Sequence, residues 1–386
     1  MKNNFNSFCI YLILSLMFFF TLSANEQFVF DVTELEIKEE GNRIKGLKRG
    51  KATTNGGITI DADEFDYDKI SNILISKGNV VIKDTIKEIT IYTDEATYFK
   101  NKEKFFTQGK SKAIGDDIII DADEFDYDKI SNILISKGNV VIKDTIKEIT
   151  IYTDEATYFK NKEKFFTQGK SKAIGDDIII DADKFKYDKN LNIINAIDNV
   201  EVDDALNNYK VYSQDITYFK NKEEFFSRGD TTALVENKYD FKSSDVLFLR
   251  NEAELSSANK TLIKDNKFSI YKLDEFKYLI NNKLLKGKNI EVTTNNTKPK
   301  SDKYFFSEGF FNFTNRSFVS TDTKILLHKE IFLDPEMDPR LSGVSSYGND
   351  DITVINKGVF TSCKVTDNCP AWSIKSKKII HDKKRR

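Results

Sequence analysis

Residues 61–120 recur letter for letter as residues 121–180, and a diverged third copy opens at Asp181 (DADKFKYDKNLNIINAIDNVEVDD). Self-similarity at a period of 60 residues constrains the fold more than any other feature of the chain. Such a chain is an array in which each unit packs mainly on its neighbours. Each block also holds two weaker half-copies: Tyr67 and Gly78 in the first half are echoed 31 residues later by Tyr98 and Gly109. An enzyme domain with one central site is a poor match to this plan.

The residues inside the repeat read as strands. Ile58, Ile60 and Ala62 alternate on one face; two residues later the apolar side returns at Phe65 and Tyr67. The second half-unit does the same with Ile89, Ile91 and Thr93, then Ala96 and Tyr98. A period of two that slips once predicts a strand turning a corner at a bend or β-bulge. Val80 and Ile82 alternate after Lys77-Gly78-Asn79, which is expected to be a turn because Gly and Asn tolerate positive φ. Gly109, Gly138, Gly169 and Gly229 are its counterparts, and Asp198 stands where the third copy should have Gly, an exchange expected to cost little if the turn there is open. The 31 Phe and 16 Tyr, against only four Pro, suit the same all-β reading.

The ends differ from the array. Lys2 precedes an apolar run over residues 9–22, followed by Ser23-Ala24-Asn25, the pattern of a signal peptide spanning 1–24. Export is therefore expected, with no cysteine at the cleavage point to suggest a lipoprotein. Residues 25–57 are lead-in strands, residues 58–325 the repeated array with degenerate outer copies, and residues 326–386 a different section. Within that section Cys363 and Cys369 are expected to serve in disulfides, since an exported pair sits in an oxidising setting.

Several functions are disfavoured. A net charge of −2 and a pI near 6.0 leave no cationic footprint for nucleic acid. His328 and His381 are the only histidines, and no nucleophile elbow, His-Glu-x-x-His or phosphate loop is present. Asp61-Ala62-Asp63 fails as a calcium loop: Asp66 replaces the required Gly and Asn72 the final Glu. Its acidic residues read instead as solvent-facing strand positions. No cofactor and no metal are expected. The apolar face then has two open readings: a filled core, or a trough that holds a lipid.

The run A-D-E-F-x-Y-D-K-x-x-N-I-L-x-x-x-G-N-V-x-I, at residues 62–82 and again at 122–142, resembles the organic-solvent-tolerance-like (OstA-like) repeat of lipopolysaccharide transport proteins. That family includes the periplasmic bridge LptA and the N-terminal domain of the translocon LptD. Residues 359–363, 369–375 and 380–382 resemble the LptD junction between periplasmic domain and β-barrel, which LptA lacks. The resemblance implies an elongated antiparallel β-jellyroll, or β-taco, with acyl chains of lipopolysaccharide held non-covalently in an apolar groove. The candidate groove-lining residues are Ile60, Ala62, Val80, Ile82, Ile89 and Ile91, with Val140, Ile142, Ile149 and Ile151 in the next copy. It also implies a periplasmic or outer-membrane location, edge-strand pairing with other jellyrolls of the transport system, and an outer-membrane lipoprotein partner if a barrel exists. In that family Cys363 and Cys369 would bridge to barrel cysteines. The chain ends where a barrel would begin, so a truncated gene, a fragment or a frameshift within the lysine-rich end is expected. A soluble bridge and a lipid-free structural or adhesive surface repeat are the alternatives.

Overall fold

The computed structural model describes residues 28–294, 301–328, 336–366 and 371–384. The expected signal peptide and Cys369 lie outside them. The chain divides into two compact units, residues 1–116 and 117–386. Both are built from antiparallel strands joined by tight turns and short 3-10 segments, and among the described residues no helix is long and apolar enough to cross a membrane.

In the first unit, β1 (Val29–Lys38) pairs with β2 (Arg43–Thr53), so the lead-in residues are part of the sheet. β3 (Ile58–Ala62) and β4 (Glu64–Asp68) are short and separated only by Asp63. β5 (Ile73–Asp84) and β6 (Ile89–Phe99) are long, and β7 (Lys104–Gln108) and β8 (Ser111–Gly115) short again. The pairing shows how the repeat works. Residues 73–77 of β5 bond to β4, whereas residues 81–84 bond to β3. Residues 95–99 of β6 bond to β7, and residues 90–92 to β8. Every long strand thus serves two arms, and every short pair is one long strand broken at the corner.

The corners lie where the apolar phase slips. In β3–β4, Ile58, Ile60, Ala62, Phe65 and Tyr67 are buried and Asp63 and Glu64 are not. Because both runs bury the same side of the chain, the two arms turn their apolar faces towards each other. Rings meet across the gap: Phe28 of one arm lies 4.9 Å from Tyr67 of the other, and Phe30 lies 6.0 Å from Phe65. Each unit is therefore the antiparallel jellyroll of bent strands that the phase slip predicts.

One expectation is corrected. Lys77-Gly78-Asn79 is not a chain reversal; β5 runs straight through it with a register shift between Lys77 and Val80. Gly78 (φ 75°) and Asn79 (φ 47°) form a bulge, and the Asp63 N–H donates to both Lys77 O and Gly78 O. The Asn79 amide donates to Asp63 Oδ2 at 2.8 Å, closing the corner between neighbouring strands. Asn139 with Asp123, Asn199 with Asp183 and Asn289 with Asp274 repeat that clamp in the second unit. Asp63, Asp123 and Asp183 therefore brace corners and are not merely solvated strand residues. The third-copy corner is not opened either: Asp198 keeps φ at 62°. Aspartate tolerates the left-handed region better than most residues, so the bulge survives the loss of Gly.

The reversals sit at the arm tips. Asp68 Oδ1 accepts the N–H groups of Ile70 and Ser71, and Asp84 Oδ1 those of Ile86 and Lys87. Such side-chain-to-backbone bonds pin short turns and so fix strand register. At other tips a 3-10 turn such as Lys100–Lys102 ends on Glu103 in the left-handed region.

In the second unit the same scheme continues from Ile118–Ala122 onward. Ile133–Asp144 and Ile149–Phe159 are the long strands of its first copy, and Ile193–Asp204 and Tyr209–Phe219 those of the next. Lys303–Asn312, Ser317–Leu326, Arg340–Gly348 and Ile352–Thr361 extend the antiparallel pairing beyond residue 325, and among the described residues Ile374–Asp382 pairs with Ile352–Thr361 alone.

Candidate functional site

The inward faces of the arms are in register from strand to strand. On one arm of the second unit, Ile120 pairs with Ile142, Ile142 with Ile151, and Ile151 with Ala173. The line continues through Ile180, Val202, Val211 and Ala233. It turns aromatic beyond that point, passing Phe241, Ile263 and Tyr271. On the other arm, Tyr127 pairs with Leu134, then Tyr158, Phe165, Tyr187, Ile194, Tyr218 and Phe225 follow in turn. Two apolar lines, one aliphatic over its first part and one rich in rings, thus face each other along the unit. Side chains of period two on successive strands at equal register necessarily stack into such lines.

All ten candidate lining residues lie on the aliphatic arms. Ile60, Ala62, Val80, Ile82, Ile89 and Ile91 belong to the first unit; Val140, Ile142, Ile149 and Ile151 occupy the same places in the second. Each is buried, at 6% exposure or less. Burying each of the larger ones contributes roughly 1.5–3 kcal/mol. The opposite, aromatic arm was not among the candidates, although the same alternation in FDYD and ATYF marks it. Its rings are packed tightly: Tyr98 stacks on Phe105, Tyr158 on Phe165 and Tyr218 on Phe225, each with centroids 4.1 Å apart.

Among the described residues the inward side chains of the two arms are packed against each other. In the second unit a half-open cavity of about 50 Å³ lies beside Tyr271, Tyr304, Phe306 and Phe311, and a smaller one of about 20 Å³ beside Ile149, Ile178 and Tyr218. The larger has room for a water or two and neither for an acyl chain. Of the two readings open in the sequence, a filled interior describes this conformation.

Polar contacts close the mouth from rim to rim. Lys189, just past strand Lys184–Asp188, donates to Asp117 at 2.7 Å on the opposite rim and to Glu163 at 2.9 Å on its own. The Tyr187 hydroxyl donates to Asp144 Oδ2 at 2.8 Å. The Lys220 ammonium reaches the Lys147 carbonyl. Arg250 donates through Nε to Asp204 at 2.7 Å and through Nη1 to Glu223. Lys283 pairs with Glu236, and Arg316 with Asp265, both at 2.8 Å. In the first unit the Lys100 ammonium lies 5.2 Å from the Phe28 ring centroid. Sequence periodicity did not reveal which residues meet across the mouth, because the partners from opposite rims are 43 or more residues apart.

Burial and charge set the protonation of the rim. Burial works to raise the Asp204 carboxyl, but hydrogen bonds from Arg250 and Asn207 outweigh it and hold the group below the usual range. Burial likewise works to lower Lys189, and Asp117 and Glu163 reverse it, so the ammonium is held above its ordinary value. Burial and then the Asp144 contact push the Tyr187 phenol up. All these groups therefore keep their contact-making forms at neutral pH.

The Cys363 N–H is donated to Thr361 Oγ1 at 3.2 Å, and Arg340 donates to its carbonyl. Its expected companion Cys369 lies outside the described residues.

No family model matches the sequence, and no curated protein matches it. Among solved structures the chain is similar to LptH, the LptA-homologous periplasmic component of the lipopolysaccharide transport device from Pseudomonas aeruginosa. That match has 16% sequence identity and a TM-score of 0.19, and covers 36% of this chain and 81% of the other.

Proposed function

We propose that the protein carries the acyl chains of lipopolysaccharide between its two arms, as a non-covalent transport module in the periplasm. One observation carries the reading: the inward side chains form two facing apolar lines that run across the strands of the second unit from Ile120 to Ala233 on one arm and from Tyr127 to Phe225 on the other. A carrier needs such repeated, similar contacts, because a chain can then advance without crossing a deep energy well. The OstA-like motif at residues 62–82 and 122–142 supports the choice of lipid. Transfer requires no bond making, so no catalytic group is assigned. The finer reading is an LptD-type periplasmic part, resting on the resemblance of residues 359–382; the soluble LptA-type bridge predicts function without Cys363 and Cys369. Neighbouring jellyrolls would join through the exposed edge of Ile374–Asp382 by strand addition.

Because the interior is closed, the arms must part before an acyl chain enters. The tight burial of the lining residues also favours a second reading, a structural repeat whose core never opens. Photocrosslinkers at Ile82 and Ile142 separate the two. Adducts with lipopolysaccharide from these positions support transport. Adducts only from outward-facing Lys83 or Glu64 count for the closed core.

A further inference from the structure

The cations at the mouth of the second unit come at a fixed rhythm. Lys189, Lys220, Arg250, Lys283 and Arg316 follow one another at 30 to 33 residues, one for each half-repeat. The first three take the position directly after their strands, and the last two the position directly before the next strand. All five stand on the rim of the aromatic arm. All reach across the mouth: to carboxylates of the opposite rim from Lys189, Arg250, Lys283 and Arg316, and to a backbone carbonyl from Lys220.

A packed core does not need this arrangement. Partly buried ion pairs repay little more than their desolvation, and apolar pairs of like volume often do as well. A row of cations directly above two apolar lines does, however, match one class of molecule: an amphiphile with an anionic head and an acyl tail. In this structure the carboxylates of Asp117, Asp204, Glu236 and Asp265 pair with four of these cations across the mouth. We infer that the rim cations are a headgroup site for anionic amphiphiles, and that the chain's own carboxylates act as stand-in ligands that latch the mouth while no amphiphile is bound. Exchange of carboxylate for headgroup keeps every cation paired, and parting of the arms returns the freed carboxylates to water. The single-residue cost of stranding one is what would otherwise hold the arms shut. The inference rests on the acyl-binding reading above.

The test uses the full chain, the neutral fluorescent probe N-phenyl-1-naphthylamine, and two competitors below their micelle-forming concentrations, dodecyl phosphate and dodecyl maltoside. Dodecyl phosphate is expected to displace the probe at about tenfold lower concentration, the worth of one charge-assisted contact. Lys189→Met should reduce that ratio. Arg250→Met alone leaves Asp204 buried and unpaired and can unfold the unit, so it is made together with Asp204→Leu, an apolar exchange of both partners. The double variant should likewise reduce the ratio while still binding the probe. Asp117→Asn, which releases Lys189 from its charged partner across the mouth, should favour dodecyl phosphate further. A wild-type ratio retained in Lys189→Met and in the double variant, with probe uptake intact, overturns the headgroup site and leaves acyl binding standing. Folded protein that takes up no probe in any form overturns both.

Discussion

Replacing Phe165 by Ala asks directly how firmly the interior is packed. Phe165 is fully buried, its ring stacked 4.1 Å from Tyr158 at 2° and 5.9 Å from Tyr187. Truncation removes the ring's transfer energy and leaves a cavity that rigid strands on both sides cannot close, about 3–5 kcal/mol in all. Of this, about 0.5–1.5 kcal/mol belongs to the aromatic pairing. Phe165→Leu keeps much of the volume and should cost about 1.5 kcal/mol or less. Urea unfolding followed by far- and near-ultraviolet circular dichroism measures both. With a slope of about 3 kcal/mol/M, the Ala variant should lose roughly 1–1.7 M from its midpoint at unchanged slope. A loss below about 1 kcal/mol, at the same slope, would mean that the arms close over the missing ring. The interior would then be a plastic trough, and the argument from a close-packed, latched core would be wrong.

Acid should weaken the second unit. The folded Asp204 carboxyl lies below its unfolded value of about 3.9, so its contribution is present above about pH 4 and is lost as pH falls through the lowered folded value. Asp204→Asn should flatten that limb of a stability profile followed by circular dichroism. Gly138 has φ 74°, and a Cβ there would lie 2.4 Å from Asp123 Oδ2. Gly138→Ala should therefore cost about 2–3 kcal/mol, from the left-handed backbone and the lost Asn139–Asp123 clamp, and Gly138→Asp less, since Asp198 already fills the equivalent corner; urea midpoints rank the two. Removing residues 121–180 should leave a protein that folds cooperatively, because the copy starts and ends at the same point of the pairing scheme. Each arm then loses four strand segments, and a non-cooperative melt would contradict the modular register.

Much of this architecture could be read along the chain. The slip at Asp63 and Glu64 marks the corner because strand side chains alternate strictly, so a two-residue pause is needed if both runs are to bury the same side. The burial of the ten aliphatic candidates follows from the same rule. Gly78 pointed to positive φ correctly, but a reversal and a bulge ask the same backbone of that residue. Only the pairing of β5 with both β3 and β4 distinguishes them.

What the sequence alone determined is local: strand, corner and inward face, each governed by neighbours a few residues away and by sterics common to all β-strands. What only the tertiary structure decided is whether the arms stand apart or meet. That depends on Lys189 finding Asp117, Tyr187 finding Asp144 and Arg250 finding Asp204. Such pairs form between residues far apart in the chain, brought together by the bend of many strands at once. A lysine after a strand end looks like any solvated turn residue until the opposite rim is in place. The 60-residue repeat therefore specifies two apolar faces, while the folded rims decide that those faces are, in this conformation, closed upon each other.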